Sequence, residues 1–126
     1  MNIPQDERIP TPAGHYSPII EHNGLLFVSG QLPMDPASKH VPETIEEQTL
    51  TALSNMENLL LAAGSDRQHV LQVRIYISDI NLWDRINTTY SGWFGAHKPA
   101  RAIIPCGELH FGCLLELEAT AAVISG

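Results

Sequence analysis

From Cys113 to Val123 the chain alternates strictly. Cys113, Leu115, Leu117, Ala119, Ala121 and Val123 fall on one side, while Glu116 and Glu118 fall on the other. A period of two over this length is a strand with one face in a core and one face carrying acids. A second strand, Pro99-Ala100-Arg101-Ala102-Ile103-Ile104-Pro105, precedes it across a turn that includes Leu109 to Gly112. The closing quarter therefore reads as two joined strands. It holds one cation, Arg101, and a carboxylate on a neighbouring strand, a pair able to bind and hydrate a small anionic molecule.

The rest of the chain supplies partners for these strands. Ser17 to His22 and Leu25 to Gln31 flank Asn23-Gly24, a strong two-residue hairpin signal. Gly30, at the far end of the second strand, lets another group approach the backbone closely. The proline-rich stretch from Leu32 to Pro42 reads as an ordered surface loop. A helix follows from Glu43 or Thr44 to Ala63, opened by the capping-box pair Thr44 and Glu47 and closed by Gly64. Its apolar stripe is Ile45, Thr49, Leu53, Met56, Leu60 and Ala63, widened by Ala52 and Leu59. Gln48 lies off the stripe and is expected in solvent. Val70 to Ser78 alternates as a third strand. A second helix is expected from Asn81, as N-cap, to Phe94, with Leu82, Ile86, Tyr90 and Trp93 or Phe94 inward.

The order is β-β-α-β-α-β-β in one domain spanning residues 1–126, an α+β fold with a mixed sheet and two helices on one face. Two helices cannot cover both faces of such a sheet. The uncovered face would carry Leu114, Glu116, Glu118, Thr120 and Ala122 from the last strand and Gln72, Arg74, Tyr76 and Ser78 from the third. A half-apolar open face is commonly buried by self-association, so a symmetric oligomer is expected.

Charge and composition exclude several functions. The net charge is −7 with only seven Lys and Arg, scattered along the chain, which argues against nucleic acid as a partner. No apolar run approaches the ~18 residues of a membrane span, and the amino end lacks the pattern of a signal peptide. A cytoplasmic location is the expectation. Cys106 and Cys113 suit neither a disulfide framework nor a CxxC motif. The six histidines show no metal-binding spacing, so no metal is expected.

Several short motifs recur in order: Tyr16-Ser17, Leu26-Phe27-Val28-Ser29-Gly30-Gln31, Gln48-Thr49 through Asn55 to Ala62-Ala63-Gly64, Asn87 and Tyr90 before Phe94, Pro99-Ala100-Arg101, and Glu116-Leu117-Glu118-Ala119. Together, from about Gly14 to Val123, they resemble the reactive intermediate deaminase family, also called RidA or YjgF. The resemblance implies a chorismate-mutase-like fold and a homotrimer with clefts between subunits. It also implies hydrolysis of imines and enamines, such as 2-aminoacrylate and 2-iminobutyrate, to 2-keto acids and ammonia without a metal or organic cofactor. By the same resemblance, Arg101 holds the substrate carboxylate, Glu116 positions water, and Tyr16, Ser29, Gly30 and Asn87 line the cleft. Two departures bear on substrate choice: Ile103 stands where many deaminating members have cysteine, and His15 where proline is frequent.

The residues alone leave alternatives open. Arg101 could instead form an intersubunit salt bridge with Glu108, Glu116 or Glu118, and spacing does not separate Glu116 from Glu118. Tyr16 could cap the hairpin, Ser29 could bond nearby backbone, and Asn87 could tie down a loop. A non-catalytic small-molecule- or protein-binding trimer is the alternative function. A ribonuclease, suggested by an older family name, conflicts with the acidic charge and the lack of a basic stripe.

Overall fold

A computed structural model describes residues 1–124. The first hairpin is β1 (Ile19–His22) and β2 (Leu25–Gln31), joined by Asn23 and Gly24. Both turn residues have positive φ, 52° and 80°, the conformation that a two-residue turn between twisted strands requires. The loop that follows is ordered. The Asn55 side-chain amide donates to the backbone carbonyls of Leu32 and Met34, at 3.2 and 2.8 Å. Asp35 accepts from Ala37 N and Ser38 N, which lowers its carboxyl pKa.

Helix α1 (Ile45–Ala62) begins as the capping box predicts: Thr44 Oγ1 accepts from Glu47 N at 3.1 Å. Gly64 follows the helix with φ 88°. Ile45, Thr49, Ala52, Leu53, Met56, Leu59 and Leu60 are buried. Gln48 departs from expectation: it is buried, not solvated. Its amide donates to Pro42 O at 2.8 Å, and its Oε1 accepts from Leu114 N at 2.9 Å. The first turn of α1 abuts the entry to the last strand, and there a long amide satisfies two backbone groups that helix and sheet leave unpaired.

Strand β3 (Val70–Ile77) leads to helix α2 (Trp83–Phe94). Asn81 does not cap α2. It lies inside a short 3-10 turn, Ile80–Leu82, whose cap is Asp79, accepting from Asn81 N at 2.9 Å. The helix proper starts at Trp83 without a side-chain cap. Ile86, Tyr90 and Phe94 face inward. Trp93 is partly buried against the core, with the guanidinium of Arg67 3.7 Å from its ring centroid.

The last two strands, β4 (Ala100–Pro105) and β5 (Leu115–Ala122), are not neighbours. The sheet order is β1-β2-β5-β3-β4. β5 is central and antiparallel to both β2 and β3, while β4 lies at the edge, parallel to β3. The expected closing hairpin is therefore replaced by a β3-α2-β4 crossover, the connection that a parallel pair needs. Alternation tells which residues face the core. It does not tell which strand lies alongside.

Both helices pack on one face of the sheet. Leu26, Val28, Val73, Ile75, Ile77, Leu115, Leu117, Ala119 and Ala121 meet them in one buried cluster. The other face carries half-buried Arg74, Tyr76, Glu116 and Glu118, with Phe27 46% exposed. No helix among the described residues is long and apolar enough to cross a membrane.

Replacing Gln48 by Leu should keep the fold while leaving Leu114 N–H and Pro42 C=O unpaired. A loss of about 2 kcal/mol is expected, read as a lower urea midpoint at unchanged slope.

Candidate active site

Arg101 is the second residue of β4, held between Pro99, before the strand, and Pro105 at its end. Its register partner on β3 is Val73, itself opposite Ala119 on β5. Cross-strand partners share a face. Val73 and Ala119 are core residues, so Arg101 projects on the helix side of the sheet. There its Nη1 donates to Asn87 Oδ1 at 2.9 Å. The guanidinium carbon lies 4.9 Å from the Tyr90 ring centroid and 5.6 Å from that of Trp83.

The partners of Arg101 are neutral, as is the Gln72 amide oxygen that Arg74 meets at 3.1 Å. Three of the five arginines form ion pairs: Arg8 with Asp6, Arg67 with Glu57 and Arg85 with Glu46. Arg101 pairs with no carboxylate among the described residues. A neutral amide and aromatic rings position it and leave its charge uncompensated. It borders a cavity of about 310 Å³ with Asn87, Tyr90, Ser91, His97 and Lys98, and no acid lines that space. Asn87 and Tyr90, three residues apart on α2, both reach the guanidinium. Sequence reading assigned Tyr90 to the core, and it is 5% exposed; its second role as a bed for Arg101 was missed. The Asn87-x-x-Tyr90 spacing was the available signal. Burial raises the Tyr90 phenol to about 12, against a smaller opposing effect of Arg101. Its hydroxyl is buried without a hydrogen-bond partner among the described residues.

Glu116 faces the other way. Its register partner is Tyr76, whose opposite number on β4 is Ile104, one position out of phase with the Arg101 set. Register puts Arg101 level with Ala119, so Glu116 is about 10 Å along the strand and about 10 Å across two strand spacings, on the opposite face. The two residues do not meet within one chain.

The structure does distinguish the two acids of β5. Glu118 Oε1 accepts from the Tyr76 hydroxyl at 2.5 Å, a contact that raises the Tyr76 pKa. Glu116 has no hydrogen-bond partner among the described residues. Burial raises its carboxyl pKa; His110 opposes this and the nearby Glu118 charge adds to it. The carboxylate lies against Gly30, where an added Cβ would be 2.6 Å from Oε2. The close approach expected at that glycine is thus made by Glu116.

Gly30 and Tyr16 both line a second cavity, of about 280 Å³. Tyr16 is 54% exposed. Ser29 uses its hydroxyl proton on Ser17 O at 2.6 Å, which ties β2 to the segment entering β1. The six expected residues thus divide. Arg101 and Asn87 form one group, Glu116, Gly30 and Tyr16 a second, and Ser29 braces the second through its hydroxyl bond to Ser17 O.

The described residues contain no cluster of three metal-ligating side chains. Cys106 is exposed and Cys113 buried, both free, and burial raises the Cys113 thiol. Ile103 lies partly buried against the core on the Arg101 side of β4, opposite Ile75.

Residues 6–123 match the family described as Endoribonuclease L-PSP. Protein HMF1 of Saccharomyces cerevisiae is 36% identical over 116 residues, covering 92% of this chain and 90% of that one. The 2-iminobutanoate/2-iminopropanoate deaminase of Bos taurus is 36% identical over 115 residues, covering 90% and 84%. The crystal structure of E. coli TdcF with bound serine superposes with a TM-score of 0.90 at 27% identity, covering 98% of this chain and all (100%) of that one.

The raised Glu116 pKa has a consequence for stability. Between the ordinary carboxyl pKa and the raised one, the folded chain holds more protons than the unfolded, so stability falls as pH rises through that window. Glu116→Gln removes this cost. Its melting temperature should exceed that of the parent at neutral pH, and the gain should vanish once pH drops below the ordinary glutamate range. Parallel thermal melts across pH check this.

Proposed function

The chain belongs to the Endoribonuclease L-PSP family, the RidA/YjgF family its motifs resemble, and on that basis we propose that it hydrolyses reactive 2-imino acids and their enamine tautomers to 2-keto acids and ammonia. The observation that carries this reading is Arg101: a half-buried cation beside a cavity, held by a neutral amide and aromatic rings, with no carboxylate among the described residues to neutralise it. A guanidinium so held keeps most of its donor fork free for a planar anion, and a 2-imino acid presents a carboxylate one bond from its electrophilic carbon.

Glu116 is the proposed base. An imine carbon activated by protonation on nitrogen needs only a positioned water and an acceptor for its proton. Glu116 would take that proton as water adds to the C=N carbon and would pass it to the carbinolamine nitrogen; as the C–N bond breaks and ammonia leaves, the carboxylate would accept the hydroxyl proton, so that the C=O bond forms. Its partly desolvated carboxylate, without a hydrogen-bond partner among the described residues, suits this better than Glu118, which the Tyr76 hydroxyl occupies. Gly30 gives the carboxylate room, and Asn87 orients Arg101.

Arg101 and Glu116 lie on opposite faces of one sheet, so both can touch one substrate only if they come from different chains. The open face with its exposed Phe27 supports such an association, and a homotrimer with interfacial clefts is the proposed assembly.

The test is keto-acid release from an imine generated by an amino-acid oxidase. Wild type should accelerate release above buffer. Arg101→Ala should lower kcat/KM by about 10- to 100-fold through the lost charge-assisted bonds. Glu116→Gln should lower kcat by about 100-fold. Because Glu116 acts deprotonated, wild-type activity should fall as pH drops through a value above the ordinary glutamate range. Mixing Arg101→Ala with Glu116→Gln after dissociation should partly restore activity, since mixed sites then hold both intact groups. No acceleration by wild type, together with stabilisation by 2-keto acids, would favour a non-catalytic binding role.

A further inference from the structure

The cavity on the Glu116 side is larger and more apolar than hydrolysis of a methyl-bearing imine requires. It holds about 280 Å³ between the segment before β1, the loop after β2 and the face of α1. Leu32, Met34, Leu59 and Phe111 supply apolar walls, and Tyr16 and Gly30 join it to the proposed site. Its polar lining is largely committed elsewhere. The Asn55 amide donates to Leu32 O and Met34 O, and the Gln31 amide donates to Ser29 O at 3.0 Å. Lys39 also lines the space but is exposed.

Two aromatic rings border the cavity without being buried. Phe111 is 71% exposed and Tyr16 54%. Phe111 has φ 59°, in the left-handed region that bulky residues seldom adopt, so backbone geometry that disfavours phenylalanine holds its ring there. An apolar group entering the cavity would cover both rings.

Gly30 relates this space to the chemistry. It meets the Glu116 carboxylate where its Cβ would be, and it also lines the cavity. We infer that this cavity receives the side chain of the substrate, and that the protein prefers 2-imino acids with branched or aromatic apolar side chains over the alanine-derived imine. This rests on the hydrolytic reading above. With the carboxylate on Arg101 of one chain and the reacting carbon beside Glu116 of another, the remaining substituent has the space next to Gly30 to occupy. Each buried methylene contributes about fourfold to binding, so leucine's side chain should gain at least about tenfold over alanine's.

Imines produced by an amino-acid oxidase from alanine, leucine and phenylalanine, assayed separately against wild type, Met34→Trp and Phe111→Ala, test the assignment. Wild type should show kcat/KM at least about tenfold higher for the leucine- or phenylalanine-derived imine. Met34→Trp, which fills the space, should remove that advantage and retain the alanine-derived reaction. Phe111→Ala, at an exposed position that does not threaten folding, should narrow the preference. Turnover of the alanine-derived imine with no advantage for larger ones overturns the cavity assignment and leaves the hydrolytic reading standing. So does an equal loss on all substrates in both variants. Acceleration of none overturns both.

Discussion

The burial of β5 between β2 and β3 is the constraint on which the rest depends. Leu115, Leu117, Ala119 and Ala121 are all buried on the helix side, so the register of this strand can slip by one residue only by turning its acids into the core. Glu116 and Glu118 are therefore fixed on the open face. That register in turn fixes Val73 and Tyr76 on β3, and through them Arg101 on the opposite face. The core thus sets the placement of Arg101, Glu116 and Glu118, although none of the three belongs to it.

The bounds of α1, the end of α2, the Asn23-Gly24 turn and the core faces of α1, β3 and β5 were legible because each rests on local periodicity or local φ requirements. The partnership of strands was not. β4 reads Ala-Arg-Ala-Ile-Ile-Pro, apolar on both sides of its lone arginine, so no alternation reveals its neighbour or which face Arg101 takes. Gln48 was misread for a related reason. A glutamine beside an apolar stripe looks solvated until the start of β5 is seen against it, and only tertiary structure brings Leu114 N–H within its reach. Asn81 was displaced by a better local competitor, Asp79, which captures its amide first.

At the candidate site, residue types were legible and relations were not. Sequence singled out an arginine, two acids and a glycine, and it expected a close approach at Gly30. It could not say that the approaching group is Glu116, nor that Tyr76 engages Glu118 and leaves its neighbour free. These are contacts between strands far apart in the chain. The desolvation of Glu116 and the bare charge of Arg101 arise from what surrounds them, and single positions carry no trace of that.

The thickness of one sheet lies between Arg101 and Glu116, and this makes association part of the rate law for any reaction using both. A lone chain would hold each half of the machinery in working geometry and still be chemically silent. Activity of that kind would rise with protein concentration more steeply than in proportion, and would be lost on dilution below the range in which the chains associate. Abundance itself would then act as the control, with no effector and no change of conformation.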